Sequence, residues 1–208
     1  MNTIYLDFDG TIVDVNYRYF GIFYEFIDYR FSLNVEFKTY IKLKRSGLKD
    51  HQILNNIFGN FNFNVDEYVE FKRQKIEDLA WLKTDKLIGN PLDFAKSCNN
   101  HDLQIVLLTQ RNNFENLNHQ LSFLNIKNIF KDIFIIPPKS GINVKFEFLR
   151  KYADNFDIII GDSKAELDAG NKLGIPSYFV NTGLYDSSII SGDTIFLNNY
   201  SEFLRYLI

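Results

Sequence analysis

The chain has 208 residues, a net charge of −3 and 46% hydrophobic residues, which indicates a globular protein with a sizeable core rather than a disordered chain. The slightly acidic balance argues against a nucleic-acid-binding protein and offers no attraction to an anionic membrane surface. A single cysteine, Cys98, excludes an intrachain disulfide and predicts a reducing, cytoplasmic setting, and because no long apolar run occurs we expect neither a transmembrane helix nor a signal peptide.

The most informative segment is Asp7–Thr11, which directly follows the apolar run Ile4–Leu6. That run predicts a buried strand, and residues two apart, such as Asp7 and Asp9, point to the same side of a strand. Two carboxylates held this close need a cation, a proton or a substrate to balance them. With Gly10 permitting a tight turn, the segment fits an enzyme that attacks phosphorus with one carboxylate and moves protons with the other. The same string alone also fits an ordinary strand-to-turn junction.

A long stretch separates this strand from the next apolar run, and a crossover helix needs far fewer residues. Residues 15–83 therefore predict an inserted helical module. Short connections between its segments favour antiparallel helix pairs. Helical spacing predicts four helices there, at Asn16–Tyr29, Val35–Arg45, Lys49–Phe58 and Val65–Leu82.

The rest of the chain alternates strand and helix signals, which predicts a doubly wound, mainly parallel α/β sheet formed by residues 1–14 and 84–208. Helical patterns cover Phe114–Leu124 and Val144–Tyr152. Ligands of such sheets bind beyond the carboxyl ends of the strands, where Asp7, Thr109 and Asp162 all fall. The further apolar runs, typical of strands buried on both faces, are Ile105–Leu108, Phe134–Ile136, Ile158–Ile160, Tyr178–Val180 and Ile195–Leu197.

Taken together, these segments resemble the haloacid dehalogenase (HAD) superfamily of phosphohydrolases. The resemblance rests on Asp7–Thr11, Leu107–Arg111, Lys145 before a helix, and Gly161–Gly170, which occur in the superfamily's order. It implies a Rossmann-like core, bound Mg²⁺ and an aspartyl-phosphate intermediate. It also identifies residues 15–83 with the helical C1-type cap of the phosphoglycolate phosphatase and β-phosphoglucomutase-like branch.

The resemblance implies roles for the acidic residues. Asp7 would be the nucleophile, and Asp9 the general acid and base, with its backbone carbonyl as a metal ligand. Because dehalogenases of the superfamily lack an acid at the second position, Asp9 points to phosphoryl transfer. Asp162 would ligate Mg²⁺ directly. Glu166 stands where the superfamily usually has Asp, so it would reach the metal through a water molecule or contact the residues that bind the metal. Asp168 is a poorer candidate for this second acidic position.

The resemblance also implies a phosphate site. Thr109 would bind a phosphate oxygen through its hydroxyl, joined by the backbone N–H of Gln110, by Gly10, and by the N-terminal dipole of a helix beginning near Asn112. A lysine would neutralise the nucleophile and the transferring phosphate. Lys145, near a helix start, is favoured for that role.

Two assignments stay open. Lys139 lies in the same region as Lys145 and could be the phosphate-neutralising lysine instead. Arg45, in a basic turn of the predicted cap, is a candidate for contact with an anionic or hydroxylated leaving group. An ordinary solvated turn explains Arg45 equally well.

The predicted function is Mg²⁺-dependent hydrolysis of a phosphomonoester. The substrate would be a small phosphorylated metabolite, and the protein a cytoplasmic monomer or homodimer with no nucleic-acid or membrane partner. A phosphomutase of sugar phosphates on the same scaffold is the alternative. A catalytically silent binding protein is less favoured, since every catalytic position holds a competent residue.

Overall fold

The computed structural model describes residues 2–59, 64–190 and 194–207. Within these residues, six parallel strands form one sheet, and two short strands pair separately. The strands are β1 (Asn2–Leu6), β2 (Val13–Asp14), β3 (Lys86–Leu87), β4 (Leu103–Thr109), β5 (Asp132–Ile135), β6 (Ile158–Gly161), β7 (Ser177–Val180) and β8 (Ile195–Leu197).

The large sheet has the order β5-β4-β1-β6-β7-β8. Counted among its own members this is 3-2-1-4-5-6, the order of a doubly wound, Rossmann-like sheet. Every apolar run that predicted a strand falls on one of these six strands, with Ile136 one residue beyond the end of β5. The α/β fold class predicted from the sequence is therefore confirmed.

The strands are buried on both faces because their apolar side chains alternate between two hydrophobic clusters. Ile4 and Leu6 of β1 belong to one cluster, and Tyr5 belongs to the other. The next strand repeats the pattern, with Leu107 on the first face and Leu108 on the second. Continuous apolar runs are the expected sequence signature of strands covered on both sides.

Helices cover both faces of this sheet and also fill the insertion after β2. The bounds of α8 are those that the sequence predicted, and α7 differs only at its last residue. The helices are α1 (Asn16–Phe31), α2 (Phe37–Arg45), α3 (Asp50–Phe58), α4 (Val65–Lys75), α5 (Leu79–Leu82), α6 (Pro91–Asn100), α7 (Phe114–Phe123), α8 (Val144–Tyr152) and α9 (Lys164–Leu173), with 3-10 turns at Lys127–Ile129, Ser187–Ile189 and Tyr200–Tyr206.

Helices α1 to α4, called the cap below, pack around a hydrophobic cluster of their own. Buried Asp50 lies at its centre and accepts four hydrogen bonds. Tyr40 and Lys44 of α2 donate to one carboxylate oxygen at 3.0 and 2.7 Å, and Tyr68 and Lys72 of α4 donate to the other at 2.6 and 3.0 Å. Each Tyr–Lys pair is four residues apart and so lies on one helix face. A single α3 carboxylate thus connects three helices.

The sequence pattern predicted one helix over Val65–Leu82, and this was wrong at residues 76–78, where the helix is interrupted. The structure has α4 and then the separate short helix α5. Asp78 begins α5 as an N-cap, since its side chain accepts a hydrogen bond from the N–H of Ala80. Ahead of it, the carbonyl of Ile76 accepts a hydrogen bond from Arg18. An N-cap acid marks the start of a new helix, which apolar spacing alone does not reveal.

The two segments that connect the cap to the sheet, β2 and β3, lie side by side. β2 precedes the cap, β3 follows it, and the two pair antiparallel, with Val13 opposite Leu87 and Asp14 opposite Lys86. Two-residue strands carry no periodic signal, and the sequence did not predict them. Their pairing places the N-terminus of α1 beside the carboxyl end of β1.

Two further sequence expectations concern chemistry and location. Cys98 is buried, and burial raises the pKa of its thiol to about 12. It is therefore a neutral core residue rather than a nucleophile. Nowhere in the part of the chain that the structure describes is a helix long and apolar enough to span a bilayer.

Candidate active site

The candidate site lies where the strand order reverses. β1 has β4 on one side and β6 on the other, so a crevice opens at their carboxyl ends. Asp7 follows β1 and Asp162 follows β6, and the N–H of Asp7 donates to the carbonyl of Ile160 at 3.0 Å. Thr109 ends the neighbouring strand β4 and is buried. The sheet thus brings together three residues that lie far apart in the sequence.

A cavity of about 170 Å³ is centred on these residues. The core contributes most of its lining, while Tyr19 reaches it from the first turn of α1. The lining comprises Asp7, Asp9, Val15, Tyr19, Thr109, Gln110, Lys145, Asp162, Ser163, Glu166, Leu184 and Tyr185.

Lys145 is the buried cation of this cavity. Its Nζ lies 2.6 Å from Oδ1 of Asp7 and also binds the carboxylate of Glu166. Burial raises the pKa of Asp7 to about 6, although the Lys145 ammonium acts in the opposite direction. Burial lowers the pKa of Lys145, but the two carboxylates outweigh it and raise the net value. Lys145 therefore stays charged beside Asp7.

The Asp162 carboxylate packs against two glycines, Gly10 and Gly183, which are together called the glycine cradle below. A Cβ placed on Gly183 would lie 1.6 Å from an Asp162 carboxylate oxygen, and one on Gly10 would lie 2.4 Å from it. Gly10 also has φ of +79°, a conformation that L side chains rarely adopt. The hydroxyl of Thr11 donates to Asp162 at 3.3 Å. Only glycine at these two positions leaves room for the carboxylate.

Asp9 is held by two arginines. Arg111, just after β4, donates from Nε and Nη2 at 2.8 and 2.6 Å, and Arg18 of α1 donates from Nη2. Burial alone would raise the pKa of Asp9, but Arg111 and Arg18 together hold it well below its usual range. In this arrangement Asp9 is a carboxylate. It can accept a proton, and to deliver one it would have to move away from at least one arginine.

The N-terminus of α7 is bound by a carboxylate of the protein itself. Glu77, between α4 and α5, accepts hydrogen bonds from the backbone N–H groups of Asn112 and Asn113, the shortest at 2.6 Å. The side chain of Asn116 donates to the carbonyl of Glu77 at 2.8 Å. The sequence predicted that the dipole of this helix end would favour phosphate binding at Thr109. In this structure the N–H groups of Asn112 and Asn113 bind Glu77 and so attach the segment after α4 to the core.

Arg45 lies at the end of α2 and reaches across to the core rather than into the cavity. Its Nη2 donates to the carbonyl and side chain of Asn181 at 3.0 and 2.7 Å and lies 3.7 Å from Asp186. The N–H of Asp186 donates back to the carbonyl of Arg45 at 3.0 Å. In this structure Arg45 connects the cap to the loop after β7.

Comparison with solved structures gives full-length matches. A haloacid dehalogenase-like hydrolase from Streptococcus pneumoniae superposes with a TM-score of 0.75 at 18% identity, over 100% of this chain and 99% of its own. Protein Tyrosine Kinase A from Mycobacterium tuberculosis gives 0.75 at 14% identity, over 99% and 97%. A predicted phosphoglycolate phosphatase from Haemophilus somnus 129pt gives 0.72 at 15% identity, over 100% and 98%.

The chain has the haloacid dehalogenase-like fold. The resemblance read from the sequence is thereby confirmed at the level of the fold. No protein-family model and no curated protein sequence matches the chain. The kinase among the neighbours illustrates that this HAD-like fold does not fix an activity by itself.

The donor set at the carboxyl ends of β1 and β6 fits a hard divalent cation. Burial, followed by the charges of Asp7 and Glu166, raises the pKa of Asp162 well above its usual range. A cation would relieve that repulsion, and carboxylate oxygen is the donor that Mg²⁺ prefers. Among the described residues, no three acidic, His or Cys side chains converge on a metal position. Further ligands would be water and the backbone carbonyl of Asp9.

Glu166 is occupied by other contacts. It is buried at the start of α9, where it accepts hydrogen bonds from Ser163 N–H at 3.1 Å and from Lys145. Ser163 and Glu166 form a capping box at the first turn of α9. A Cβ on Gly161 would collide with the Glu166 side chain at 2.4 Å. The Glu166 side chain, one methylene longer than that of Asp, thus packs against Gly161 of β6. Its carboxylate binds Lys145 and holds it in position.

The competing lysine is in a different environment. Lys139 is exposed in the loop after β5, where it forms an isolated bridge with Ile142. Of these two lysines, Lys145 is the one that contacts Asp7.

Sequence reasoning missed the residues that act through tertiary contacts. Arg18 had no motif signal, because its position opposite Asp9 depends on how α1 leaves β2. Gly183 had a usable signal, since it lies three residues after the end of β7, at the same sheet edge as Asp162. Glu77 had none, since it falls inside the helix predicted over Val65–Leu82, where an acid is normally solvated.

Proposed function

We propose that the chain is a Mg²⁺-dependent phosphomonoester hydrolase that acts on a small phosphorylated metabolite through an aspartyl-phosphate intermediate. The observation that carries the proposal is the convergence of Asp7, Lys145 and Asp162 in one buried cavity at the point where the strand order reverses. A buried nucleophile, a permanent cation and a hard-oxygen donor set suit transfer of a dianionic phosphoryl group.

Each residue has a role that its surroundings support. Asp7 attacks phosphorus, and the P–O bond to the leaving oxygen breaks as the new P–O bond to the carboxylate forms. Lys145 neutralises Asp7 and the transferring group together, because it lies 2.6 Å from the attacking carboxylate. Thr109 and the backbone N–H of Gln110, which line the same cavity, orient the phosphate oxygens.

Mg²⁺ held by Asp7, Asp162 and the backbone carbonyl of Asp9 would supply charge neutralisation between the two reacting anions. Asp162 is fixed for this task by the glycine cradle and by Thr11. Glu166 supports the same site indirectly by holding Lys145.

Asp9 handles the protons. As a carboxylate it takes a proton from the water that hydrolyses the aspartyl-phosphate, and it gives that proton to the leaving oxygen of the next substrate. The second step requires Asp9 to separate from Arg18 or Arg111, which now hold it as an anion.

The test is a screen of the purified protein against a panel of phosphomonoesters with Mg²⁺, measuring inorganic phosphate. We expect release that excess chelator abolishes and added Mg²⁺ restores, and a peptide containing Asp7 that carries one phosphoryl group after acid quench. Full activity in excess chelator would show that the reaction does not require Mg²⁺. A phosphoryl group found on another residue would remove Asp7 as nucleophile.

A phosphomutase would use the same intermediate and return the phosphoryl group to the sugar. A β-phosphoglucomutase-like structure from Thermotoga maritima is among the neighbours, with a TM-score of 0.65 at 15% identity over 100% of this chain. Isomer formation from sugar phosphates without loss of phosphate would favour this second function. The cytoplasmic location and the monomeric or dimeric state also stay predictions.

A further inference from the structure

The loop after β4, residues 110–113, serves two parts of the candidate site at once. Gln110 lines the cavity and carries the backbone N–H proposed to bind phosphate. The next residue, Arg111, makes the bidentate contact with Asp9. The loop ends at Asn113, the N-cap of α7. A shift of this loop would therefore disturb phosphate orientation and the position of Asp9 together.

The C-terminal half of this loop is bound by a residue from the segment that follows the cap. The Glu77 carboxylate accepts hydrogen bonds from the backbone N–H groups of Asn112 and Asn113 at 2.9 and 2.6 Å, and from the side-chain amide of Asn112 at 3.2 Å. Hydrogen bonds to an ionised acceptor are about twice as strong as neutral ones. Glu77 thus restrains two consecutive peptide groups that are otherwise exposed.

Glu77 is itself held from two sides. Asn116 of α7 donates to the carbonyl of Glu77 at 2.8 Å, and Arg18 donates from Nη1 to the carbonyl of Ile76 at 2.7 Å. Arg18 also binds Asp9. Both arginines that hold Asp9 are therefore connected to this short segment, Arg18 directly and Arg111 through the loop.

The segment after Glu77 continues along α7. Gln120 lies four residues after Asn116 and so on the same helix face. Its side chain donates to the carbonyl of Leu82 at 3.2 Å and to the carboxylate of Asp85 at 2.8 Å. Because the segment is attached to a core helix at both ends, Glu77 has a fixed position from which to restrain the loop.

We propose that Glu77 is a positioning residue of the candidate reaction, which fixes loop 110–113 so that the N–H of Gln110 meets the phosphate and Arg111 stays on Asp9. Glu77 does not line the cavity that holds Asp7, so it acts through the loop and not on the phosphoryl group. The inference rests on the proposed hydrolase function, which assigns the phosphate to this loop.

The first measurement concerns the loop without any ligand. In the native chain we expect backbone ¹⁵N order parameters of about 0.85 at Gln110 and Arg111, and in Glu77→Ala values below about 0.6. Glu77 makes no hydrogen bond to either residue, so a change there reports restraint passed along the loop. A fall confined to Asn112 and Asn113, or no fall, would overturn the positioning role.

Glu202 provides a matched control. Its carboxylate accepts from the backbone N–H and the side-chain amide of Asn198 at 2.7 and 2.9 Å, the same pair of donors that Asn112 offers to Glu77. It follows the outermost strand β8 and does not line the cavity. Glu202→Ala should leave the order parameters of Gln110 unchanged. Equal falls in both variants would show general loosening and overturn the inference.

Binding of inorganic phosphate measures the functional consequence. Calorimetry in the presence of Mg²⁺ gives Kd, and a general loss of folded protein lowers the stoichiometry without changing Kd. We expect Kd to rise about tenfold in Glu77→Ala, the effect of about one charge-assisted contact. Glu77→Gln keeps one acceptor oxygen and should show about a threefold rise, and Glu202→Ala none. An unchanged Kd in Glu77→Ala would contradict the assignment.

These measurements separate the inference from the proposed function. Loop order and phosphate affinity that depend on Glu77 would support the positioning role even if the native chain released no phosphate from any ester, a result that would sink the hydrolase proposal alone. Hydrolysis by the native chain, with order parameters and Kd that Glu77→Ala leaves unaltered, would overturn the positioning role alone. Absence of both phosphate binding and phosphate release would overturn both.

Discussion

Arg111 donates two hydrogen bonds to Asp9, from Nε at 2.8 Å and from Nη2 at 2.6 Å. This bidentate pair joins the turn after β1 to the loop after β4, beside the cavity that holds Asp7. Its planar geometry fixes the Asp9 carboxylate more firmly than a single contact would. The charge of Asp9 is thus balanced by Arg111 and by Arg18 of α1, and Arg18 is the subject of a prediction below.

Replacing Asp7 by Asn should abolish phosphate release while the fold is retained. The amide keeps the size of the side chain but is not a nucleophile. Activity should fall by at least about 10⁴-fold, as for loss of a group that forms the covalent intermediate. Phosphate release and circular dichroism are the measurements, and Asp168→Asn on α9 is the control. Near-native turnover by the Asp7 variant would refute its assignment.

Lys145→Met should lower kcat by about 10²- to 10³-fold, the usual cost of losing one charged group that stabilises the transition state. The buried ammonium lies against Asp7, whereas Lys139 is exposed and is not among the residues that line the cavity. Lys139→Met serves as the matched comparison under identical Mg²⁺ concentrations. A larger loss for Lys139→Met would reverse the assignment.

Gly183→Ala should weaken the response to Mg²⁺. The added methyl group would meet the Asp162 carboxylate at 1.6 Å and so displace it from its position beside Asp7. We expect the Mg²⁺ concentration for half-maximal activity to rise by about tenfold or more, the change typical when support of a metal ligand is lost. A titration of activity against Mg²⁺ measures this. If Gly183→Ala has the same dependence of activity on Mg²⁺ as the native chain and a normal melting temperature, Gly183 is not needed to hold Asp162 in position.

Arg18→Gln should destabilise the protein strongly. Arg18 is buried, binds Asp9, and has its Nε 3.2 Å from Oδ1 of Asp85, which is also buried. Removing one partner of a buried ion pair typically costs about 3–5 kcal/mol because the remaining charge is left uncompensated. Denaturant unfolding measures the loss.

The double variant Arg18→Gln with Asp85→Asn tests the cause. If the unpaired Asp85 carboxylate is responsible, the second change should recover part of the lost free energy of unfolding. Additive losses in the double variant would show that Asp85 and Arg18 do not interact energetically.

Asp50 should make the stability of the cap depend on acid pH. Burial would raise the pKa of its carboxyl, but Lys72 and Lys44 overcome this and hold the pKa well below the usual range. A carboxyl with a lowered folded-state pKa contributes stability above its unfolded value, near pH 4, and the contribution disappears as the pH falls further.

The measurement is the free energy of unfolding between about pH 6 and pH 2. Asp50→Asn should be less stable at neutral pH and lose less of its remaining stability on acidification than the native chain. The control is Asp28→Asn, an exposed acid of α1. Parallel curves for the native chain and the Asp50 variant would exclude the effect.

The fold could be predicted because its signals are local. Each buried strand is a continuous apolar run, and parallel topology places the carboxyl ends of such strands on one edge. Asp7, Thr109 and Asp162 could therefore be brought together from the sequence alone. The order of the strands was not read from the sequence, because it depends on pairing between distant segments.

The rest of the site depends on tertiary contacts. Glu77 lies between two short helices, and nothing in its neighbourhood indicates that it binds the N-terminus of α7. The role of Arg45 is similar, since a basic turn does not reveal that Asn181 and Asp186 lie opposite it. Charged surface residues of this kind have partners that become visible only when the two parts of the chain are placed together.

The pairing of β2 with β3 has a mechanical consequence. β2 and β3 are the two segments that connect the cap to the sheet, and they pair with each other. A rotation of the cap helices away from the sheet would therefore have its hinge at this strand pair. Such a pivot would separate Arg45 from Asn181 and would carry Arg18 away from Asp9, while Arg111 stayed in place. Admission of substrate and partial release of the proton-handling acid would then be one and the same movement.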